Sequence, residues 1–179
     1  ETEEEELVDE EEAVEEELVD EEESAEGEPD QEIVNFITEL LSTYEAQDIS
    51  VFESLVSEDY REIRVSEEDR ERLDYDALID AVRYEADVAG AFQIKHRILG
   101  VRSGKNGVRV RLQWGMRFED AQSGERKSRK GVTGLGLAHF EGWQLITQRG
   151  KPLFGAITSE SLEGRENPGR RERRKGRGR

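Results

Sequence analysis

The sequence predicts an α+β domain in which three helices lie on one face of a curved antiparallel sheet. Apolar residues recur at helical spacing between residues 33 and 56 and again between 78 and 82, whereas from residue 92 to residue 118 they alternate with a period of two. Helices collected ahead of a run of hairpin-connected strands describe this architecture. A sheet arranged in this way is apolar towards its helices and polar towards water.

Three segments carry the helical spacing. The apolar positions of the first are Ile33, Ile37, Leu40, Leu41 and Tyr44. The second runs from residue 51 to residue 56, and Ser50 with Glu53 is predicted to form a capping box at its start, because the two side chains would satisfy free amides of the first turn. The third follows Asp74, a residue type that is favoured at helix N-caps.

The strand predictions depend on alternation and on turn-forming residues. Five segments are candidate strands, at residues 60–65, 92–101, 108–118, 130–140 and 143–148. The charged residues 66–72 are predicted to form a turn. Asn106–Gly107 is a strong signal for a hairpin between the second and third strands. Residues 149–164 are predicted to leave the sheet without a further element.

The formal net charge of -18 is concentrated at the two ends of the chain. Residues 1–30 hold 19 acidic residues and no basic one, residues 161–179 hold 8 basic and 3 acidic ones, and residues 31–160 carry a net charge of only -4. Segments with so much charge and so little apolar material do not bury a core. We therefore expect an acidic disordered arm, a folded domain and a basic disordered tail, with an acidic docking helix as the alternative for the arm.

Composition excludes several kinds of site. The chain has no cysteine, so disulfides, thiolate metal sites and cysteine nucleophiles are excluded. His96 and His139 are far apart, so we expect no metal site, and no motif predicts a cofactor. No run approaches the roughly 20 apolar residues of a membrane span. The sequence begins at Glu1 rather than Met, as it would after removal of a signal peptide, so export is favoured over the cytoplasm.

Several short motifs between residues 32 and 154 follow one another in a recognisable order. They are FITELLSTYEAQDISVFESLVSEDY, YDALIDAV and FEGWQLI. In this order they resemble the nuclear transport factor 2-like superfamily, which includes SnoaL-like cyclases and ketosteroid isomerases, and most of all its small exported bacterial members. The resemblance implies a cone-shaped, strongly bent antiparallel sheet on three N-terminal helices, with a pocket at the open end. It leaves the function open, because this fold carries enzymes, transport factors and dimerisation modules.

The candidate pocket residues are those expected to face the interior of the cone. None of the inward positions on the long strands is a carboxylate, which argues against an isomerase. His96 is the titratable residue among them. It is interpreted either as a general base, with Tyr84, Asp87 and Trp114 as partners, or as a core histidine. Trp114 and Met116 either form the floor of an apolar ligand pocket or pack as ordinary core.

A row of arginines alternates with the apolar residues of the strand at 108–118. Arg109, Arg111 and Arg117 are predicted to lie on the convex face of the sheet, with whichever of Lys127 and Arg129 the next strand turns the same way. On that face they either contact water or bind an acidic partner, and residues 1–30 of the same chain qualify as one.

The sequence favours a non-catalytic binding or assembly module over two alternatives. Its occupant would be a small apolar ligand in the cone or a protein partner, including a second copy on the sheet. One alternative is a small-molecule lyase or isomerase centred on His96. The other is a protein that binds nucleic acid or another polyanion through residues 165–179 by counterion release, although no aromatic residues are interleaved there to stack bases.

Overall fold

Two helices, a short strand pair, a third helix and a four-stranded sheet follow one another along the chain in the computed structural model. The structure describes residues 30–65 and 70–158. The predicted acidic arm and basic tail lie outside the described residues, and the domain boundaries at 30 and 160 stay predictions.

Each helix begins at an aspartate whose side chain accepts a backbone N–H. The helices are α1 (Gln31–Glu45), α2 (Ile49–Leu55) and α3 (Tyr75–Val88). The predicted cap of α3 is confirmed, since Asp74 accepts from the amide of Ala77 at 3.0 Å. The predicted capping box of α2 is wrong. The N-cap lies two residues earlier, at Asp48, whose side chain accepts from the amide of Val51. Aspartate is as good an N-cap as serine.

The strands form two separate sheets. The first is a pair, β1 (Arg61–Val65) and β2 (Arg70–Asp74). Residues 70–72, predicted as part of a turn, therefore belong to a strand, because pairing with β1 satisfies their backbone groups although their side chains are charged. The second sheet has four antiparallel strands in chain order, listed as β3 (Ala89–Gly104), β4 (Gly107–Asp120), β5 (Arg126–His139) and β6 (Trp143–Gly150).

Breaks in strand register bend the larger sheet. The β3–β4 pairing shifts between Gly90 and Gln93 and again between Ile98 and Gly100, and the β5–β6 pairing shifts between Gly136 and Leu137. Bulges of this kind increase twist and bend the strand that carries the extra residue. The hairpin predicted at Asn106–Gly107 is confirmed, with Gly104 paired to Gly107.

The core lies between the helices and the inner face of this sheet, the face that carries the even-numbered residues of β4. Those residues, from Val108 to Phe118, are all buried, as the alternation predicted. After β6 the chain leaves the sheet without a further element, as predicted, but it stays packed against the domain. Leu153 and Phe154 are fully buried and Ile157 is 2% exposed. The ring of Phe154 packs edge-on against Tyr44 at a centroid distance of 5.0 Å. Residues 151–157 are hereafter called the closing segment.

Candidate functional site

The predicted pocket residues do not form a joined set. His96 pairs in register with Trp114 on the inner face, yet it is exposed because β3 is the edge strand of the sheet. The core-histidine interpretation is therefore wrong. Tyr84 is 40% exposed and Asp87 is exposed on α3. Within the described residues, no hydrogen bond or ion pair connects His96 with a carboxylate, and a general-base role stays a prediction.

Trp114 and Met116 are buried in the core, at 2% and 1% exposure. The indole Nε1 of Trp114 donates to Thr133 Oγ1 at 2.7 Å, and that hydroxyl donates to the carbonyl of Lys151 in the closing segment. The polar end of the indole is thus satisfied by the protein itself. This contact ties β4 and β5 to the closing segment.

A buried carboxylate on α3 holds the closing segment from inside. Glu85 is fully buried and accepts four hydrogen bonds: from the hydroxyl of Tyr44 at 2.7 Å, and from the amides of Gly155, Ala156 and Ile157 at 2.9, 2.6 and 2.7 Å. Burial raises the pKa of Glu85, while the four donors oppose that shift. Both oxygens are occupied, so the carboxylate is a clamp for the chain rather than a free base.

A second buried carboxylate supports the same segment from the other side. Glu62 accepts from the hydroxyl of Tyr60 at 2.8 Å, from Nε of Arg64 at 2.8 Å and from Nε2 of Gln148 at 3.0 Å. Arg64 also donates to the carbonyls of Phe154 and Gly155. Burial raises the pKa of Tyr60, so its hydroxyl remains a donor. The polar groups of the interior are therefore used to fix the fold.

Two basic residues of β5 turn inwards, contrary to the placement considered from the sequence. Lys127 pairs with Phe118 and Arg129 with Met116, both inner-face positions. The Nζ of Lys127 lies 3.9 Å from a carboxylate oxygen of Asp120. Burial lowers the pKa of Arg129, and its Nη1 has no hydrogen-bond partner among the described residues. The pairing register decides this placement. Which side chains of a strand face the core is fixed by the strand it pairs with, not by its own composition.

The outer face of the sheet carries a dense set of cations. It holds nine exposed basic side chains, half of the 18 between residues 31 and 160. They are Lys95, Arg97, Arg102, Arg109, Arg111, Arg117, Arg126, Lys130 and Arg149. We call this set the basic face. Among the described outer-face pairing positions, the acidic residue is Glu119, which pairs with Arg126.

The cations of the basic face are not neutralised by the folded domain. None of the nine side chains makes a hydrogen bond or an ion pair with another residue of the part of the chain that the structure describes. Arg102 lies directly opposite Arg109 in the strand pairing, an arrangement of like charges that is unfavourable by itself. Glycines open the face between other cations, since Gly115 is paired to Lys95 on one side and to Lys130 on the other.

A depression of about 420 Å³ lies over Gly115. Its lining is Gln93, Lys95, Gly115, Met116, Arg117, Ser128, Arg129 and Lys130. A Cβ at Gly115 would meet nothing within 4 Å, so the missing side chain leaves this space open. Four of its eight lining residues are basic, and three of those, Lys95, Arg117 and Lys130, belong to the basic face, so its rim is cationic. Such a place suits a carboxylate or another small anionic group.

A second depression, of about 560 Å³, lies at the α2 end of the domain. It is polar and acidic, and its lining includes Glu53, Glu58, Asp59 and the ring of Tyr75. Among residues 30–65 and 70–158 there is no group of three or more histidines and carboxylates placed to hold a metal ion. Nor does that part of the chain contain a helix long and apolar enough to cross a membrane.

Sequence reasoning identified three of the nine cations of the basic face. The alternation of Gln93, Lys95 and Arg97 in β3 was a readable signal for two more. The bulge between Ile98 and Gly100 resets the alternation, so the outward position of Arg102 could not be read from the sequence. Glu85 and Glu62 were missed because a single carboxylate on a helix or a short strand carries no sign of burial.

The structure is similar in fold to several solved proteins. A nuclear transport factor 2-like protein from Salmonella enterica aligns with a TM-score of 0.55 at 14% identity, over 66% of this chain and 87% of that one. A ketosteroid isomerase-like protein from Erwinia carotovora gives 0.55 at 15% identity, over 66% and 91%. A conserved protein from Planctomyces limnophilus gives 0.58 at 13% identity, over 66% and 91%. No protein-family model and no curated protein matches the sequence.

These likenesses concern the fold. The α+β class and the resemblance read from the sequence motifs are both confirmed, with helices on one face of a bent antiparallel sheet. At such low identity the alignments carry no activity over to this chain, and the residues of its own surface have to be considered on their chemistry.

Proposed function

We propose that this chain, which has the nuclear transport factor 2-like fold, is a non-catalytic binding module that takes an acidic polypeptide on the basic face. The observation that supports the proposal is the set of nine exposed cations on one sheet face that have no partner within the described residues. The interior offers less support for a ligand, because Glu85 is bound to the closing segment and Glu62 to Tyr60, Arg64 and Gln148. Both depressions lie on the outside of the core.

The composition of the face favours carboxylates as its ligands. Seven of the nine cations are arginines, whose planar guanidinium groups bind carboxylates through paired hydrogen bonds. No aromatic side chain occupies an outer-face pairing position in β3–β6 of the described chain. Sequence-tolerant binding of single-stranded nucleic acid uses aromatic stacking platforms, so the face lacks a main element of that mode.

The test is a comparison of two triple variants with equal loss of charge. The first is Arg109→Gln, Arg111→Gln and Arg117→Gln, on the basic face. The control is Arg61→Gln, Arg72→Gln and Arg83→Gln, at exposed positions off the face. Both keep residues 161–179, so any binding through that basic segment is common to both.

The measurement is the fluorescence anisotropy of a labelled poly-L-glutamate peptide of about 20 residues at low salt. Exposed ion pairs contribute roughly 0.2–1 kcal/mol each, so the face variant should lose about tenfold in affinity. Its binding should also depend less on salt, whereas the control should bind like the unmodified chain. Equal affinities for the two triple variants would contradict the proposal. Duplex RNA can also be tested on the same variants. If it binds more tightly than the peptide, and the face variant weakens that binding too, the partner of the basic face is nucleic acid and not an acidic polypeptide.

A further inference from the structure

We infer that residues 1–29 of this same chain occupy the basic face when no other partner is bound, so that an external acidic partner has to displace them. The inference rests on the proposed function, since it assigns an occupant to the same face. It makes the acidic segment a built-in competitor for the binding site.

Charge complementarity is the first argument. Residues 1–29 contain 18 acidic residues and no basic one. The basic face presents nine cations and, at its pairing positions in the described chain, the single acidic residue Glu119. The two charged regions of the protein thus have opposite signs and lie in one covalent chain. Their attraction acts over about 10 Å at 0.1 M salt.

The attachment point of the segment allows it to reach the face. The segment joins the domain at Asp30, the cap of α1. The other end of α1 is anchored at the β3 edge, where Glu45 accepts from the amide of Ile94 at 2.6 Å and Gln47 donates to the carbonyl of Ala89 at 2.6 Å. A chain of 29 residues spans up to about 100 Å when extended, whereas α1 is roughly 22 Å long and β4 roughly 46 Å. The segment can therefore pass round the open β3 edge and lie along the outer strands.

Covalent attachment favours this occupant over a separate molecule. A tethered segment has an effective concentration in the millimolar range, which a free acidic protein rarely reaches. The basic face is also a better partner than residues 161–179, although those carry a net charge of +5. The strands hold the cations of the face in place, which lowers the entropy cost of binding them.

Paramagnetic relaxation measures the position of the segment directly. The chain has no cysteine, so Ala13→Cys gives one site for a nitroxide label in the 179-residue chain. At low salt we expect the label to broaden the amide signals of β4 and β5 more strongly than those of α2. The effect should disappear at 0.5 M salt and in the Arg109→Gln, Arg111→Gln, Arg117→Gln variant, and it should not weaken on dilution.

Three results of that measurement would overturn the inference. One is equal broadening of α2 and of the outer strands. Another is broadening confined to residues 161–179, which would make the basic tail the partner. The third is broadening of the outer strands that falls on dilution, or that appears when labelled chain is mixed with unlabelled isotope-enriched chain, since either shows docking on a second copy.

Binding of the poly-L-glutamate peptide separates a failure of this inference from a failure of the proposed function. The test chain keeps all 179 residues, and six substitutions partly neutralise residues 1–29. They are Glu3→Gln, Glu4→Gln, Glu5→Gln, Glu10→Gln, Glu11→Gln and Glu12→Gln. The control has six exposed glutamates of the domain replaced, by Glu32→Gln, Glu39→Gln, Glu58→Gln, Glu71→Gln, Glu125→Gln and Glu141→Gln.

We expect the arm variant to bind the poly-L-glutamate peptide about tenfold more tightly, because its residues 1–29 compete less well for the basic face. The control variant should show a smaller gain, because its residues 1–29 are unchanged. Equal gains in the two variants would overturn the inference and leave the proposed function standing. No dependence of peptide binding on Arg109, Arg111 and Arg117 in either variant would overturn the proposed function itself.

Discussion

The two faces of the four-stranded sheet treat charge in opposite ways. Inside the domain, the carboxylates of Glu85 and Glu62 are buried and accept hydrogen bonds from four separate parts of the chain. On the outer side, nine cations are exposed and have no partner among the described residues. The two carboxylates belong to α3 and β1, whereas the nine cations belong to the four strands of the larger sheet.

The difference separates residues that hold the fold from residues that are free to bind. Leaving a buried charge without a partner costs several kcal/mol, and the buried carboxylates of Glu85 and Glu62 each accept several hydrogen bonds. An exposed charge has no such requirement, and its repulsion by like neighbours can be relieved by an oppositely charged partner. We therefore assign the inner carboxylates to stability and the outer cations to recognition, and variants at each face test that assignment.

Glu85→Ala should have the largest effect on stability. The change leaves three backbone N–H groups of the closing segment without their acceptor. It also leaves the hydroxyl of Tyr44 with only the more distant carbonyl of Leu153, at 3.3 Å. Each unsatisfied buried donor costs about 1–3 kcal/mol, so we expect the free energy of unfolding to fall by about 4 kcal/mol or more. Urea denaturation followed by circular dichroism measures it. Asp87→Ala, at an exposed position of the same helix, is the control and should change it by less than about 0.5 kcal/mol. Equal effects would refute the clamp.

Phe154→Ala should have the next largest effect. The ring is fully buried and packs against Tyr44 and Phe52 at centroid distances of 5.0 and 5.3 Å. Removing a buried phenyl ring costs about 3–5 kcal/mol. Phe140→Ala is the matched control, because that ring is 57% exposed and should contribute little. A loss below about 1 kcal/mol for Phe154→Ala would mean that the closing segment is not part of the core.

Gly115→Glu should have the smallest effect on stability and a clear effect on binding. The new side chain enters open space and places a carboxylate between Lys95 and Lys130, so the free energy of unfolding should rise by about 0.5 kcal/mol. Affinity for the poly-L-glutamate peptide should fall about threefold, since the rim of the depression is then partly neutralised. Gly115→Gln supplies a side chain of similar size without the charge. If it lowers affinity as much as Gly115→Glu does, the depression acts by its space and not by its charge.

Much of the fold could be predicted from the sequence because the signals were local. The alternation from Val108 to Phe118 named the buried side of β4, and Asn106–Gly107 placed the hairpin. Asp74 predicted the start of α3. The errors arose where a distant segment completes the environment. Residues 70–72 look like a turn until β1 pairs with them, and the burial of Phe154 depends on the rings of Tyr44 and Phe52 in α1 and α2.

The candidate site could be predicted in part for the same reason. Arg109, Arg111 and Arg117 follow from the alternation of one strand, but their neighbours in β3, β5 and β6 follow only from strand pairing. His96 shows the reverse case. The strand pairing places His96 on the inner face, yet the edge position of β3 leaves it exposed. No property of residues 92–98 reveals which strand will lie at an edge.

The sequence by itself determined the class of the fold, the buried side of the central strand and the separation of opposite charges along the chain, because each depends on spacing or composition within a segment. Only the tertiary structure decided that nine cations from four strands share one face, and that Lys127 and Arg129 do not join them. It also decided that Glu85 holds residues 155–157. Register and burial depend on the partner that a residue meets, and that partner comes from a distant part of the sequence.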